Sequence, residues 1–176
     1  MQDMLVQVEP LIPALRRYAR SLVRDRAAAD DLVQDCLERA VSRWYQRRDG
    51  SVRAWLFTIL HNLAINQFRQ SAARGHHVPI DESNENDFSE AAVQDRRLMY
   101  RDVLNKLAKL PKDQQAVLLL VGVEDLSYAD VAKVLDIPVG TVMSRLSRAR
   151  ERLQQELEGP SIGGAGNIVS IGSARE

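Results

Sequence analysis

The first seventy residues carry apolar side chains at helical spacings of three and four in three successive segments. These segments run from about residue 5 to 22, 26 to 45 and 52 to 70, and Pro10 and Pro13 disturb the first half of the first one. Such spacing predicts amphipathic helices, each with one face toward a shared core. The third segment is apolar on almost every side, so it is predicted to be the central helix of a three-helix domain.

The periodicity stops between residues 72 and 95, where Gly, Pro, Ser, Asn and acidic residues accumulate and predict a flexible linker. Helical spacing returns at 96–158, in which the apolar run AVLLLVGV at 116–123 is predicted to be fully buried. Residues 159–176 are rich in Gly and Ser and are predicted to form a flexible tail. The pattern therefore predicts an all-α fold with two small helical domains, at 1–71 and 96–158, joined by a linker.

The apolar pattern at residues 126–153 predicts two short helices around a tight turn. The hydroxyl of Ser127 is placed to cap the first helix, and Pro138 suits the first turn of the second because no helical partner awaits its missing N–H. Apolar residues at spacings of four, three and four mark the inward side of the second helix, at Val142, Leu146, Ala149 and Leu153. This combination predicts a helix-turn-helix.

The outward side of the second helix is polar and basic. It carries Arg145 and Arg152 on its flank and, facing out, Thr141, Met143, Ser144, Ser147 and Arg148. In a DNA major groove, Arg reads guanine edges, and Ser or Thr bonds phosphate or base. The alternative is a basic face that contacts only water. The turn and the arginines together favour DNA binding.

The formal net charge is zero, which argues against a nonspecific polycation. The charge is unevenly distributed: residues 1–75 contain twelve Lys and Arg against eight Asp and Glu, net +4, whereas residues 76–95 contain six acidic residues and no basic ones, net −6. An acidic strip therefore follows a mildly basic block, and it is a candidate shield for basic surfaces elsewhere in the chain.

The single cysteine, Cys36, excludes an internal disulfide and a multi-cysteine zinc site, and its apolar surroundings predict burial. The adjacent His76 and His77 lack a third ligand, and His61 is interpreted as a satisfied polar side chain, so no metal or other cofactor is expected. The sequence shows neither a signal peptide nor an apolar run of about 18 residues, which predicts a cytoplasmic protein.

Polar residues on the second and third predicted helices need an explanation. The second helix has a strongly acidic side at residues 30–38, which is either solvated near the positive helix end or a docking surface for a basic partner. The third helix places Trp55 among amides and arginines. An aromatic ring beside such groups can stack on unpaired bases, although core packing is the simpler role for Trp55 alone.

Three stretches resemble the bacterial sigma-70 superfamily, and most closely the extracytoplasmic-function (ECF) sigma factors, which keep only the second and fourth sigma regions. The stretches are AADDLVQDCLERAV at 28–41, RAWLFTILHNLAINQFRQ at 53–70 and LSYADVAKVLDIPVGTVMSRLSRARERL at 126–153. The resemblance covers residues from about 5 to 157. It implies that the domain at 1–71 is sigma region 2 and the domain at 96–158 is sigma region 4.

The resemblance implies three binding surfaces. The acidic helix would dock on the β′ clamp helices of core RNA polymerase through Asp31, Leu32, Gln34, Asp35 and Leu37. The loop at residues 47–53 would lie beside a flipped base, and the −10 promoter element would be opened by Arg53, Trp55, Asn62, Asn66 and Arg69. The helix-turn-helix would contact phosphates of the −35 element through Thr141 and Arg145, and base edges through Met143, Ser144, Ser147 and Arg148.

The same resemblance implies that the protein is not an enzyme, because core polymerase supplies the metal ions and the bond formation. The sequence agrees, since it contains neither a phosphate-cradling glycine loop nor a spaced set of carboxylates and histidines. Promoter DNA, core RNA polymerase and an anti-sigma factor are the expected partners. No small-molecule substrate and no membrane insertion are expected.

Two other functions remain open at this point. One is a helix-turn-helix regulator that dimerises on a palindrome without polymerase, and the acidic DLVQD segment at 31–35 argues against it. The other is a sigma mimic that titrates an anti-sigma factor without binding DNA. The retained basic face argues against a mimic, because the recognition helix keeps Arg145, Arg148, Arg150 and Arg152.

Overall fold

The computed structural model describes residues 2–23, 25–47, 50–73 and 102–158, and its regular structure there is entirely helical. The N-terminal module contains α1 (Gln2–Val8), α2 (Ile12–Val23), α3 (Arg26–Arg43) and α4 (Val52–Ala73). The C-terminal module contains α5 at residues 102–108, α6 (Lys112–Gly122), α7 (Tyr128–Leu135) and α8 (Val139–Glu158). The predicted all-α fold with two helical regions is confirmed. The tail at 159–176 and all but the first two linker residues lie outside the described residues.

The first predicted helix is in fact two helices. A short 3₁₀ turn at Glu9–Leu11 separates α1 from α2, with the Ile12 N–H bonded to the Glu9 carbonyl. Pro10 has no N–H to donate to an α-helical ladder, so the chain changes direction there. The start of α3 is fixed by a side-chain cap, in which the backbone N–H of Ala28 donates to Asp25 Oδ2 at 2.7 Å.

The core of the N-terminal module forms where α2, α3 and α4 meet. Leu15, Tyr18, Leu56, Phe57 and Leu60 are almost completely buried, and the rings of Tyr18 and Phe57 meet edge to face with centroids 5.4 Å apart. The predicted central position of the third helix is confirmed by this burial. Two details of the second helix were predicted wrongly.

The helical spacing of apolar residues at 29–44 predicts Val41 and Trp44 on the buried side of that helix. Val41 is 54% exposed, and Trp44 lies in a 3₁₀ turn after the helix end and is only partly buried. The helical pattern places Val41 about 120° from the centre of the buried stripe, where a side chain is covered only if a neighbouring element reaches it. No such element covers Val41 in the described part of the chain.

A buried polar pair joins α2 to α4. The hydroxyl of Tyr18 lies 3.0 Å from His61 Nδ1. Burial lowers the pKa of His61 to about 4, whereas the same burial, with the charge of Glu124, raises the pKa of Tyr18 well above its ordinary value. Both groups are therefore neutral near pH 7, and the tautomer of the imidazole decides which of the two donates the hydrogen bond. The prediction that His61 is a satisfied polar side chain agrees with this geometry.

Stability should consequently fall as the solution is acidified. In the unfolded chain His61 takes up a proton near pH 6.5, whereas in the folded chain it does so near pH 4. The unfolded state therefore binds more protons in this window, and lowering the pH from 7.5 to 5.0 should remove about 1–2 kcal/mol of the free energy of unfolding. Urea titrations at the two pH values measure this loss. The variant His61→Asn keeps an acceptor for Tyr18 but cannot titrate, so an undiminished loss in that variant would contradict the assignment.

The cap, the turn and the inward stripe predicted for the helix-turn-helix are confirmed, but its second helix is not short, because α8 spans 20 residues. Ser127 Oγ accepts from the Asp130 backbone N–H at 3.1 Å and caps α7. Asp136 ends α7 in the left-handed conformation, with φ of 53°, and Pro138 follows just before α8. The predicted inward stripe of α8 is buried at Val142, Leu146 and Ala149 and partly buried at Leu153.

The apolar run at 116–123 is less completely buried than predicted. Leu118 and Val121 are only partly buried, and Val123 is 54% exposed. Three polar side chains next to this run are buried, namely Gln114, Gln115 and Glu124. Gln115 and Glu124 belong to a contact between the two modules.

The two modules pack directly against each other. Helix α7 contacts α4, α6 contacts α2, and the buried apolar residues of both modules form one continuous core. The amide of Gln115 donates to the Ser21 carbonyl across this boundary at 2.8 Å. The sequence pattern predicted two domains and a linker, and it gave no indication of this contact.

Candidate functional site

The outer face of α8 is exposed although the modules pack together. Met143 is 52% exposed, and Ser144, Ser147 and Arg148 also face solvent. Thr141 is partly buried near the start of the helix. The inward stripe packs on α6 and α7, so the outward residues form one solvent-facing side about three helical turns long.

Local hydrogen bonds shape the polar side chains of this face. Ser144 Oγ donates to the Thr141 carbonyl at 3.1 Å, and Ser147 Oγ donates to Glu151 Oε1 at 3.3 Å. Arg145 is partly buried, with its Nε 3.2 Å from Asp113 Oδ2 on α6. Arg145 is thereby anchored at the flank, whereas Arg148 extends into solvent and makes no ion pair with another described residue.

A shallow depression lies beside Met143. It has a volume of about 250 Å³ and is lined by α7 and α8 through Tyr128, Met143, Leu146, Ser147 and Arg150. A thymine methyl group prefers apolar contacts in the major groove. The flexible Met143 side chain at the rim of this depression is suited to such a contact.

Four of the five residues predicted for the −10 element share one side of α4. Residues 55, 62, 66 and 69 are spaced by seven, four and three, which places them within about 60° of each other around a helix. Asn62, Asn66 and Arg69 are exposed, and Trp55 is partly buried. Arg53 lies on the opposite side of α4, where its guanidinium contacts the C-terminal module. The structure therefore does not bring Arg53 together with the other four.

Trp55 belongs to a small aromatic cluster at the start of α4. Its ring meets that of Trp44 at 66°, with centroids 6.1 Å apart, and the guanidinium of Arg47 lies 4.9 Å above the Trp44 ring. Arg47 also donates to the Gly50 carbonyl at 3.1 Å. Its Nε is buried without a hydrogen-bond partner among the described residues. An indole ring beside a guanidinium is suited to stacking on an unpaired base.

The acidic side of α3 forms one wall of a groove of about 420 Å³. Asp31, Gln34 and Leu37 line it, as does the exposed Val41. Asp35 is exposed on the same helix. An apolar strip of Leu37 and Val41 therefore lies beside acidic groups, which is the composition expected for docking on a basic partner helix.

The prediction for Leu32 must be corrected. Leu32 is only 4% exposed and packs in the core, so it cannot contact a partner directly in this conformation. Val41, which the helical spacing predicts to be buried, is exposed and forms the apolar strip together with Leu37. The i to i+4 spacing from Leu37 to Val41 was the available signal, because residues four apart are neighbours on a helix surface.

Charge on this surface is only partly compensated. Asp30 Oδ1 lies 3.8 Å from Arg16 Nε and 3.7 Å from Arg20 Nη2 on α2. Asp31 and Asp35 form no ion pair with any other residue in the described ranges. These two carboxylates are the ones available to an incoming positive charge.

Neither metal chemistry nor membrane insertion is indicated by the described residues. They contain no group of three or more His, Cys, Asp or Glu side chains placed to hold a metal ion. No helix among them is both long and apolar enough to cross a bilayer. Cys36 is buried, its thiol contacts the Leu56 carbonyl at 3.5 Å, and burial raises its pKa to about 12, which makes it an unreactive core residue.

Comparison with known proteins identifies both modules. Residues 8–61 match the family model of the sigma2 domain of PhyR, and residues 100–153 match the model of sigma-70 region 4. Two helical modules of these types define a protein of the sigma-70 class.

Individual relatives identify the family within that class. The ECF RNA polymerase sigma factor EcfG of Rhodopseudomonas palustris is 38% identical over 143 residues, which cover 81% of this chain and 78% of that protein. The RNA polymerase sigma-E factor of Streptomyces coelicolor is 37% identical over 147 residues, covering 82% of this chain and 80% of that one. The chain belongs to the ECF family of RNA polymerase sigma factors.

Two solved structures, one of them a sigma factor, have a similar arrangement of helices. The sigma factor RpoE of Bartonella quintana, crystallised with the anti-sigma factor NepR, superimposes with a TM-score of 0.75 at 32% identity, covering 92% of this chain and 100% of that one. CnrH in complex with the cytosolic domain of CnrY gives a TM-score of 0.70 at 28% identity, covering 91% and 90%.

Proposed function

We propose that this chain binds core RNA polymerase through α3, reads the −35 promoter element with α8 and helps to open the −10 element with α4. The residues at 1–71 and 96–158 act as two binding modules, and residues 72–95 connect them. Core polymerase carries out all the chemistry, so the chain contributes specificity and strand separation and is not itself an enzyme. These partners place the protein in the cytoplasm.

One observation carries the proposal: three surfaces of different chemistry stay exposed although the modules pack together. The α3 surface is acidic and apolar, the α4 surface combines amides with an indole, and the α8 surface is basic. A protein that needed only DNA would have no use for the acidic surface. Each surface suits a different part of an initiation complex: basic clamp helices, unpaired bases and a duplex major groove.

Replacing Arg148 should weaken and broaden reading of the −35 element. Arg148 is the exposed arginine nearest the centre of the α8 face, and losing one guanidinium contact with a base costs about 1–3 kcal/mol. The complex of core polymerase with Arg148→Ala should therefore bind promoter DNA about ten- to hundredfold more weakly, with relaxed preference at one or two −35 positions. Binding to a randomised −35 library measures both effects.

The matched control is Arg152→Ala, which removes the same charge from the same helix at its flank. It should lower affinity slightly for all sequences alike. If Arg148→Ala also lowered the affinity for every library member equally, Arg148 would be a phosphate contact and its assignment to a base edge would be wrong.

An anti-sigma factor is the second proposed partner. The sigma factor RpoE is described in complex with the anti-sigma factor NepR, and CnrH in complex with the cytosolic domain of CnrY; both structures resemble this chain over more than nine tenths of its length. The packed arrangement of the two modules leaves the α3 and α8 surfaces free for a protein that covers them. This partner would block polymerase or promoter binding by occupying the same residues.

A sigma mimic remains the second candidate function, because residues 8–61 match the model of the PhyR sigma2 domain. The structure of PhyR with NepR from Bartonella quintana is described as that of an anti-anti-sigma factor with its anti-sigma factor, and at 18% identity it supports a shared fold only. A mimic needs the anti-sigma surface but not core polymerase. Titration of the purified chain against core polymerase separates the two functions, since a mimic would show no saturable binding.

A further inference from the structure

Glu124 is the most deeply buried charged residue in the described part of the chain, at 1% exposed. Two arginines of the N-terminal module converge on its carboxylate. Arg17 on α2 donates through Nε to Oε1 at 3.3 Å and through Nη2 to Oε2 at 3.0 Å. Arg53 on α4 donates through Nη2 to the Glu124 backbone carbonyl at 2.6 Å and to Oε2 at 3.4 Å. One residue of the C-terminal module thus fills a site made by the other module.

The loop after α6 directs Glu124 into this site. The Glu124 N–H bonds to the Leu119 carbonyl, and the Leu126 N–H bonds to the Leu120 carbonyl, each at 3.0 Å. Asp125 between them adopts a left-handed conformation with φ of 51°. A non-glycine residue adopts this conformation at a cost, so the surrounding contacts must hold the turn in place.

The guanidinium of Arg53 has a second contact besides Glu124. Arg53 lies over the ring of Phe57, with its guanidinium carbon 5.7 Å from the ring centroid, and Phe57 is fully buried in the N-terminal core. Arg17 extends from α2, next to the buried Tyr18. The arginine side chains are 50% and 37% exposed, so solvent already reaches them. If the C-terminal module moved away, both guanidiniums would lose the carboxylate that they share and would be accessible to another anion.

The proposed function requires that movement. The −35 and −10 elements are separated by about 25 base pairs, or about 85 Å along duplex DNA at about 3.4 Å per base pair. A chain of this length packed as one body has a radius of gyration of only about 16 Å. The α4 and α8 surfaces cannot engage both elements while α7 remains packed on α4. The contact between Glu124 and the arginines must therefore break on the promoter.

We propose that Arg17 and Arg53 form a binding site for a DNA backbone phosphate, which Glu124 occupies as an internal competitor while the two modules are packed together. A phosphate offers paired oxygens to guanidinium groups as a carboxylate does. Arg17 thereby becomes a promoter-contacting residue, and Arg53 contacts DNA from the side of α4 opposite Trp55. The inference rests on the proposed function, because it requires a promoter complex.

The competition predicts effects of opposite sign from two partners in one ion pair. Glu124→Gln removes the competitor and should expand the free protein and raise promoter affinity. Arg17→Ala also weakens the packed state and should expand the free protein, but it removes a phosphate contact and should lower promoter affinity. If the arginine served only to hold the modules together, both variants would raise affinity.

The experiment uses the full chain bound to core polymerase and a fluorescent promoter duplex over a range of salt concentrations. In the Glu124→Gln background, adding Arg17→Ala should weaken binding about tenfold and reduce the slope of log affinity against log salt by about one. Arg26→Ala, an exposed arginine at the start of α3, removes the same charge as a control and should leave the slope unchanged. Arg17→Lys should retain the slope but lose part of the affinity, since it keeps the charge without the two-pronged geometry.

Small-angle scattering of the free variants measures the expansion. The control is Asp125→Asn, which removes a negative charge from the residue next to Glu124 and should not expand the chain. Circular dichroism checks that each variant is folded.

An unchanged salt slope and affinity for Arg17→Ala, with normal promoter binding by the wild-type chain, would overturn the phosphate site alone. Failure of the wild-type chain to bind any promoter with core polymerase would instead overturn the proposed function, and the phosphate site with it.

Discussion

Reversing the charge of Asp31 and Asp35 together will weaken binding to core RNA polymerase by about a hundredfold or more, because like charges placed across an interface cost several kcal/mol. Both carboxylates are exposed on α3 and have no ion-pair partner among the described residues. In Asp31→Arg/Asp35→Arg they would face a basic helix pair with the same sign of charge. Fluorescence titration of labelled protein with core polymerase measures the dissociation constant.

The control for this variant is Asp3→Arg/Glu9→Arg, which makes the same change in net charge on α1 and the turn after it. Both control positions are exposed. The control should bind core polymerase within about twofold of wild type at physiological salt, since surface charges beyond about 8 Å are largely screened. Equal losses in both variants would mean that net charge governs the association and that α3 is not the docking surface.

Replacing Trp55 with Ala will slow promoter opening by about ten- to hundredfold, because stacking on one base contributes about 1–3 kcal/mol. Trp55 lies on the same side of α4 as Asn62 and Asn66, beside Trp44 and Arg47. Extruding a base from the duplex costs a few kcal/mol, which this cluster must return for opening to depend on sequence. The fluorescence of 2-aminopurine placed in the −10 element follows opening directly.

Two controls separate strand opening from folding. Trp55→Phe keeps an aromatic ring and should recover much of the rate, and thermal unfolding checks that both variants retain their stability. A template with the −10 element already mismatched needs no opening step, so Trp55→Ala should initiate from it at nearly the wild-type rate. A defect of the same size on the mismatched template would show that Trp55 supports packing rather than opening.

Local patterns predicted much of the fold and the exposed surfaces. The cap at Ser127, the interruption at Pro138 and the buried stripe from Val142 to Ala149 all follow from a few neighbouring residues, because caps, turns and helical periodicity act within about one or two helical turns. The break at Pro10 was visible as a disturbance, but its outcome as a separate helix was not.

The contact between the modules could not be predicted in this way. Glu124 lies 107 positions from Arg17 and 71 from Arg53. No periodicity relates such distant residues, and one acidic residue after an apolar run has the same appearance in sequence whether it ends in solvent or in a buried ion pair. The misplacement of Leu32 and Val41 has a related cause. Each lies near the edge of the row of apolar side chains on α3. The burial of a side chain at that edge depends on how a neighbouring helix packs, and the spacing of apolar residues does not determine it.

The packed modules and the proposed promoter complex describe two states of one chain. Burying Glu124 removes a carboxylate from water at considerable cost, and its two arginines offset that cost only while the modules are in contact. The contact between the modules therefore depends on ion pairs, and charged groups that compete for Arg17 and Arg53 can open it. Core polymerase and promoter DNA supply those charges in the proposed account.

The most direct test of the account is transcription by core RNA polymerase supplied with this purified chain, with the 5′ ends of the transcripts mapped across genomic DNA. The account predicts a limited set of start sites that depend on the added chain and share a pair of sequence elements near −35 and −10. Transcripts that start at the same places without the chain, or none at all in its presence, would contradict it.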